Sequence, residues 1–250
     1  MQWSDWLFIS MKRTQPKSLH LDMCGITAKG TKSIADALKV NITLEYLDLG
    51  WNDIGDKGFV SIAEALKSNY ALKQLELGVT YSNGPALAEM LKVNMTLQTH
   101  DMSWNKFIPE GAKSIADALK VNRTLERLNL SCNTLGDTGV VHIAEALKSN
   151  NALQRLELAA CGLTEKGLTV LSASLVGNDC LQYLDIATKS DTIATESDPR
   201  AEPLDCKSLK QFVLCLQENL HLTKLRLGPA RDAPDRSDII EDGMSSLNQV

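Results

Sequence analysis

The sequence predicts an α/β stack of repeated units, each a short strand followed by a short helix. Three observations carry this. The decapeptide KSIADALKVN fills positions 32–41 and returns unchanged at 113–122, 81 residues later. Verbatim recurrence marks a building unit, since a catalytic loop is normally needed once. Leucines in the pattern LxxLxL recur in register, as Leu44, Leu47, Leu49 and again as Leu125, Leu128, Leu130. Each unit also switches from a period of two to a helical period, which separates its strand from its helix.

The central strand position runs Leu19, Leu47, Leu75, His100, Leu128, Leu156, Leu184 and Leu225, in steps of 28, 28, 25, 28, 28, 28 and 41. Alternation around these residues turns the leucines to one side of a short strand. The segment that follows places Ile34, Ala35 and Leu38 on the inward stripe of an amphipathic helix. Between strand and helix sits I-x-x-x-G, as Ile26/Gly30, Ile54/Gly58, Phe107/Gly111, Leu135/Gly139 and Leu163/Gly167. A glycine there lets the helix start pack tightly on its neighbour. One such unit cannot bury its own apolar face, so stacking must supply the other half of each core. The repeated decapeptide is a helix of the stack, and its copy implies a duplicated block of three units. The third unit is three residues short and reads GVTYSNGPALAEML where the others carry the glycine motif.

These registered units resemble the leucine-rich repeats of the ribonuclease-inhibitor-like class, over residues 18–228. The wording IGDKGFVSIAEALKSN is similar to the repeats of NACHT-type immune receptors of the NLRC group and to those of Ran GTPase-activating proteins. The resemblance implies a leucine-rich repeat solenoid, a horseshoe with a parallel β-sheet on the concave face and α-helices on the convex face. It also implies a hydrogen-bond ladder in the loop after each strand, closed by Asn52, Asn105 and Asn133 and by the thiols of Cys24 and Cys161. Around this domain, residues 1–17 read as a remnant unit or cap, 188–205 as a polar mobile insert, and 229–250 as a mostly disordered tail.

Several features are absorbed by the repeat. Asn41, Asn94 and Asn122 stand in N-x-T triplets, but Asn69, Asn150, Asn178 and Asn219 share their frame without one, so a left-handed helix C-cap is expected rather than glycosylation. No C-x-x-C pair occurs, and all six cysteines are expected to be reduced, with no metal site. GITAKGTKS at 25–33 approaches a phosphate-binding loop but has Thr31 in place of the lysine, so nucleotide binding and other cofactors are not expected. His100 at a leucine position reads as a buried neutral imidazole with one hydrogen bond.

What remains is the outward side of the strands. The central exposed position reads His20, Asp48, Glu76, Asp101, Asn129, Glu157, Asp185 and Arg226. Like charges on adjacent strands repel, a cost that invites a functional explanation. Trp51 and Trp104 share a frame just past their strands, and Tyr46 and Tyr183 share the position before the carboxylate. Aromatic residues beside charges are the composition of an interaction hot spot. The candidate partner-binding residues are therefore Tyr46, Asp48, Trp51, Glu76, Asp101, Trp104, Glu157, Tyr183 and Asp185, with no catalytic or metal-binding residues.

A net charge of −5 disfavours nucleic acid as a partner, and no apolar run approaches the roughly 20 residues of a membrane span. The N-terminal apolar run is too short for a signal peptide, so a cytoplasmic address is expected, with the nucleus as the alternative. The leading expectation is a non-enzymatic interaction module for a basic protein partner, with no small-molecule substrate. Two other readings follow from the resemblance. One is a Ran-directed GTPase activator, although the post-strand loops from 22–30 to 159–167 hold no arginine of the kind that family uses. The other is a sensor fragment of an NLR-like receptor.

Overall fold

The computed structural model describes residues 16–81, 85–187 and 221–227, together with 210, 212–214, 216 and 219. Most of the expected cap, the insert at 188–205 and the tail at 229–250 lie outside the described residues, as do Cys206 and Cys215.

Eight strands form one sheet in the order β1 to β8. They are Ser18–His20, Tyr46–Asp48, Gln74–Glu76, Thr99–Asp101, Arg127–Asn129, Arg155–Glu157, Tyr183–Asp185 and Lys224–Arg226. Every neighbouring pair is parallel, and the register matches the sequence frame: Leu47 lies opposite Leu75, Leu75 opposite His100, and His100 opposite Leu128. The described helices, renumbered in chain order, are α1 Ala28–Leu38, α2 Gly55–Leu66, α3 Pro85–Leu91, α4 Pro109–Leu119, α5 Gly136–Leu147 and α6 Glu165–Leu175. The fold is thus a leucine-rich repeat solenoid. In the third unit, three residues short, α3 has 7 residues where the other described helices have 11 or 12.

The strand leucines and the helix stripe form one continuous core, with Leu47, Leu75, Ile34, Ala35 and Leu38 all buried. Glycines of the I-x-x-x-G motif sit close against their neighbours. A Cβ on Gly58 would come within 2.2 Å of Ile54, and one on Gly139 within 3.1 Å of Ala112 in the preceding helix. Lys39, Lys67, Lys120 and Lys148 at the helix ends face solvent and pair with the acid three residues earlier.

Two hydrogen-bond ladders tie the units together. In the loop after the strand, Asn52 donates to Leu21 O, Leu49 O and Gly50 O, and its oxygen accepts from Ile26 N at 2.8 Å. Asn133 repeats the pattern, Thr80 closes it in the short unit through Leu77 O, and Cys161 donates its thiol to Leu130 O. Cys24 departs from the expected role. It lies on the surface at the first described unit and is not a rung.

The second ladder corrects the reading of the post-helix asparagines. None of them has a positive φ. Each is buried and accepts from the backbone N–H groups two and three residues on, and from Asn69 onward each also donates to the preceding unit. Asn69 accepts from Ala71 N and Leu72 N and donates to Leu38 O and Asn41 O. For Asn94 and Asn122 the Nδ2 that a glycan would use is spent in the same way. The asparagine joins two units, which a terminal cap would not do.

Candidate functional site

The flanking residues of each three-residue strand turn to the concave face while the central residue, His100 in β4 and leucine in the others, turns inward. This places Tyr46, Asp48, Glu76, Asp101, Glu157, Tyr183 and Asp185 on one sheet surface. Asp48 lies opposite Glu76, and Glu76 opposite Asp101. Asn129 interrupts the row before Glu157 and Asp185.

Side-chain length decides what each acid does locally. The short ones close the turn at the end of their own strand: Asp48 accepts from Gly50 N at 2.9 Å, Asp101 from Ser103 N at 2.7 Å and Asp185 from Ala187 N at 3.0 Å. Asn129 does the same toward Ser131 N, so an aspartate is not required there. The longer glutamates reach back along the strand instead, Glu76 to Gln74 and Glu157 to Arg155.

Countercharge divides the row in two. Glu157 holds Arg155 at 2.7 Å, that guanidinium stacks over Tyr183, and Arg226 reaches Asp185 at 3.0 Å. Asp185 is only 1% exposed, which withdraws it from the accessible stripe expected from the sequence. Among the described residues no cation pairs with Asp48, Glu76 or Asp101. Burial pushes the Glu76 carboxyl above its ordinary value, with Asp101 and Asp48 adding to the effect and Gln74 opposing it. Burial, reinforced by the charges of Asp48 and Glu76, pushes the Tyr46 hydroxyl up to about 12. Burial likewise raises Glu157 and Asp185, but there arginines oppose it.

The tryptophans stand on a special backbone position. Met23, Trp51, Val79, Trp104, Cys132 and Ala160 occupy one frame, and all have φ between 52° and 59°. Each extends the sheet by donating its N–H to the next unit, as Trp51 does to Gly78 O and Trp104 to Ser131 O. A left-handed residue with a large side chain is uncommon. Trp51 is 58% exposed and Met23 68%, while Cys132 in the same place is buried. With Val79, Trp104 and exposed Tyr81, they make an apolar rim beside the acidic triad.

The reading by central exposed positions missed the cations two places earlier, Arg127 and Arg155, and the turn-closing role of the aspartates. The signal for the first was in the frame, since Arg127 and Arg155 stand where Tyr46 and Gln74 stand 81 residues before. Among the described residues no group of three or more His, Cys, Asp or Glu side chains is placed to hold a metal ion. Thr31, at the near match to a phosphate loop, is buried and donates to Thr27 O.

One comparison with known proteins supports the repeat directly. A family model described as leucine-rich repeat matches residues 40–63, 93–116 and 121–144. No curated protein matches the chain in sequence. Among solved structures, one titled as actin-binding site 2 of leiomodin-1 is similar at 20% identity and a TM-score of 0.45, covering 71% of this chain and 90% of that one. The C-terminal domain of tropomodulin from Caenorhabditis elegans is similar at 14% identity and a TM-score of 0.44, covering 71% and 93%. The chain carries leucine-rich repeats, three stretches of which the family model matches and the rest of which share their frame in the sheet.

Proposed function

We propose that the protein is a non-enzymatic interaction module that binds a basic protein partner on the first half of its concave face. The observation that carries this is the triad of Asp48, Glu76 and Asp101. They stand on adjacent strands, beside the exposed ring of Trp51, and among the described residues no cation is paired with them. Three neighbouring carboxylates repel one another, and a cationic group laid across them relieves that repulsion on binding. The aromatic rim supplies apolar area next to the charge. Glu157, Tyr183 and Asp185 serve differently. The two carboxylates are paired and the Tyr183 ring is covered by Arg155, so these three hold the second half of the face rather than contact the partner.

Capture from cytosol tests the reading, comparing the wild type with a chain carrying Tyr46→Arg, Asp48→Asn and Trp51→Cys. Each change installs the residue found 81 positions later in the same frame, so the fold tolerates it. The expected result is a protein held by the first chain and lost by the second, whose affinity weakens as salt rises. An identical set captured by both chains would remove the concave triad as the site.

A further inference from the structure

A second surface lies on the opposite rim, where the chain enters the strands. The residue after each buried post-helix asparagine points outward. In the first units it is Ile42, 82% exposed, Tyr70, 75% exposed, and Met95, 54% exposed. Val40, Val93 and Val121, just before the asparagines, are also exposed. In the following block the same frame holds Arg123, Asn151 and Asp179, so the repeat does not need an apolar residue there.

Hydrogen bonds tie the row together from unit to unit. Asn69 donates to Asn41 O at 3.0 Å and Asn94 to Asn69 O at 3.3 Å, which holds these loops in direct contact from unit to unit. Its step is therefore close to the strand spacing of about 4.8 Å. An α-helix laid across the units advances about 5.4 Å per turn and would offer one side chain to each interval of the row. The bordering charge is positive on a chain whose net charge is −5. Among the described residues Asp36, Glu45 and Asp117 each hold two lysines, an excess of one cation at each, while Lys67 and Lys92 are paired one-to-one with Glu64 and Glu89.

We propose that this rim docks an acidic amphipathic helix of a partner protein, its apolar stripe on Ile42, Tyr70 and Met95 and its carboxylates toward the lysines. A preformed platform orders little on binding, so the helix alone carries the entropic cost. A second copy of the same rim is disfavoured, because it would face lysines with lysines.

The test uses the full chain and a synthetic helical peptide of about 18 residues, with leucines on one face flanked by glutamates. Binding is followed by fluorescence anisotropy. The expected result is saturable binding that Ile42→Arg with Tyr70→Asn weakens by about tenfold or more, while Tyr46→Arg with Asp48→Asn leaves it within about twofold. That second variant keeps the outcome separate from the concave-face reading. Equal affinity in the rim variant, or equal affinity for a peptide with lysines in place of the glutamates, overturns the proposal. So does capture of the wild type, but not the rim variant, by phosphatidylserine vesicles when the peptide does not bind; a lipid surface is then the occupant. A concentration-dependent dimer abolished by the rim variant assigns the surface to self-association instead.

Discussion

The block from β2 to β4 and the block from β5 to β7 are nearly the same object inside and different objects outside. Leu47, Leu49, Ile62, Ala63 and Leu66 recur as Leu128, Leu130, Ile143, Ala144 and Leu147, all buried. On the surface, Ile42 is answered by Arg123, Tyr46 by Arg127, Asp48 by Asn129, Trp51 by Cys132 and Tyr70 by Asn151. The second block acts as an internal control. Since it folds without those aromatic and aliphatic side chains, folding does not account for their presence in the first. Among the described residues, two apolar rims and an acidic triad with no paired cation lie together on the first half of the arc.

If the blocks share a core, they should fail alike when it is broken. Leu47→Asp and Leu128→Asp each bury an unpaired charge in the middle of the sheet and should each cost several kcal/mol, roughly 4 or more. Thermal unfolding followed by circular dichroism checks this. A wild-type melting point in either variant would show that the register drawn for that block is wrong.

The loop ladder sharpens the comparison, because its rungs are not all alike. Asn52 and Asn133 each donate to three carbonyls and accept one backbone N–H, so replacement by Ala should cost about 3 kcal/mol in either block. Cys161, a weak donor in the same slot, should cost about 1 kcal/mol when changed to Ala. Denaturant midpoints at constant slope would rank the three. Equal losses would mean that the slot tests packing and not hydrogen bonding.

His100 is the one departure from the leucine row inside the first block. Its Nδ1 donates to Leu75 O, its Nε2 is buried without a partner, and burial holds its pKa down to about 4. The unfolded chain takes up this proton near pH 6.5 and the folded one only near 4, so stability is full above that window and falls as pH drops through it. The slope approaches about 1.4 kcal/mol per pH unit. His100→Leu should remove the slope and add about 1 kcal/mol at pH 7. Stability curves at several pH values would show it, and an unchanged acid limb would assign the effect to other groups.

The fold was legible because leucine spacing maps directly onto strand register, and every pair in the sheet follows it. The site was legible only in part. The stripe of carboxylates could be read, but whether each was free depended on Arg155, two residues before Glu157, on Arg226, one strand over from Asp185, and on chain reach. An aspartate two residues before a glycine or serine can close its own turn, which distinguishes Asp48 from Glu76 and which a reading of charge alone passes over. The post-helix asparagines were misjudged for a related reason. A left-handed cap and a cross-unit bridge favour the same residue, and only backbone geometry separates them.

The smallest expected effect is the most discriminating. Tyr46→Arg, Asp48→Asn and Trp51→Cys convert three positions of the first block to the residues of the second. The fold already accepts each of them, including a cysteine at φ 59°. Stability should stay within about 0.5 kcal/mol of the wild type. At low salt a slight gain is expected, since removing the charge of Asp48 relieves Glu76, and it should vanish near 1 M salt where screening is complete. Paired melts at the two salt concentrations measure this. A loss of more than about 1 kcal/mol would mean that the aromatic rim braces the first block after all. It would also remove the reason for assigning those side chains to a partner, because the two blocks would then differ in what holds them together and not only in what they present.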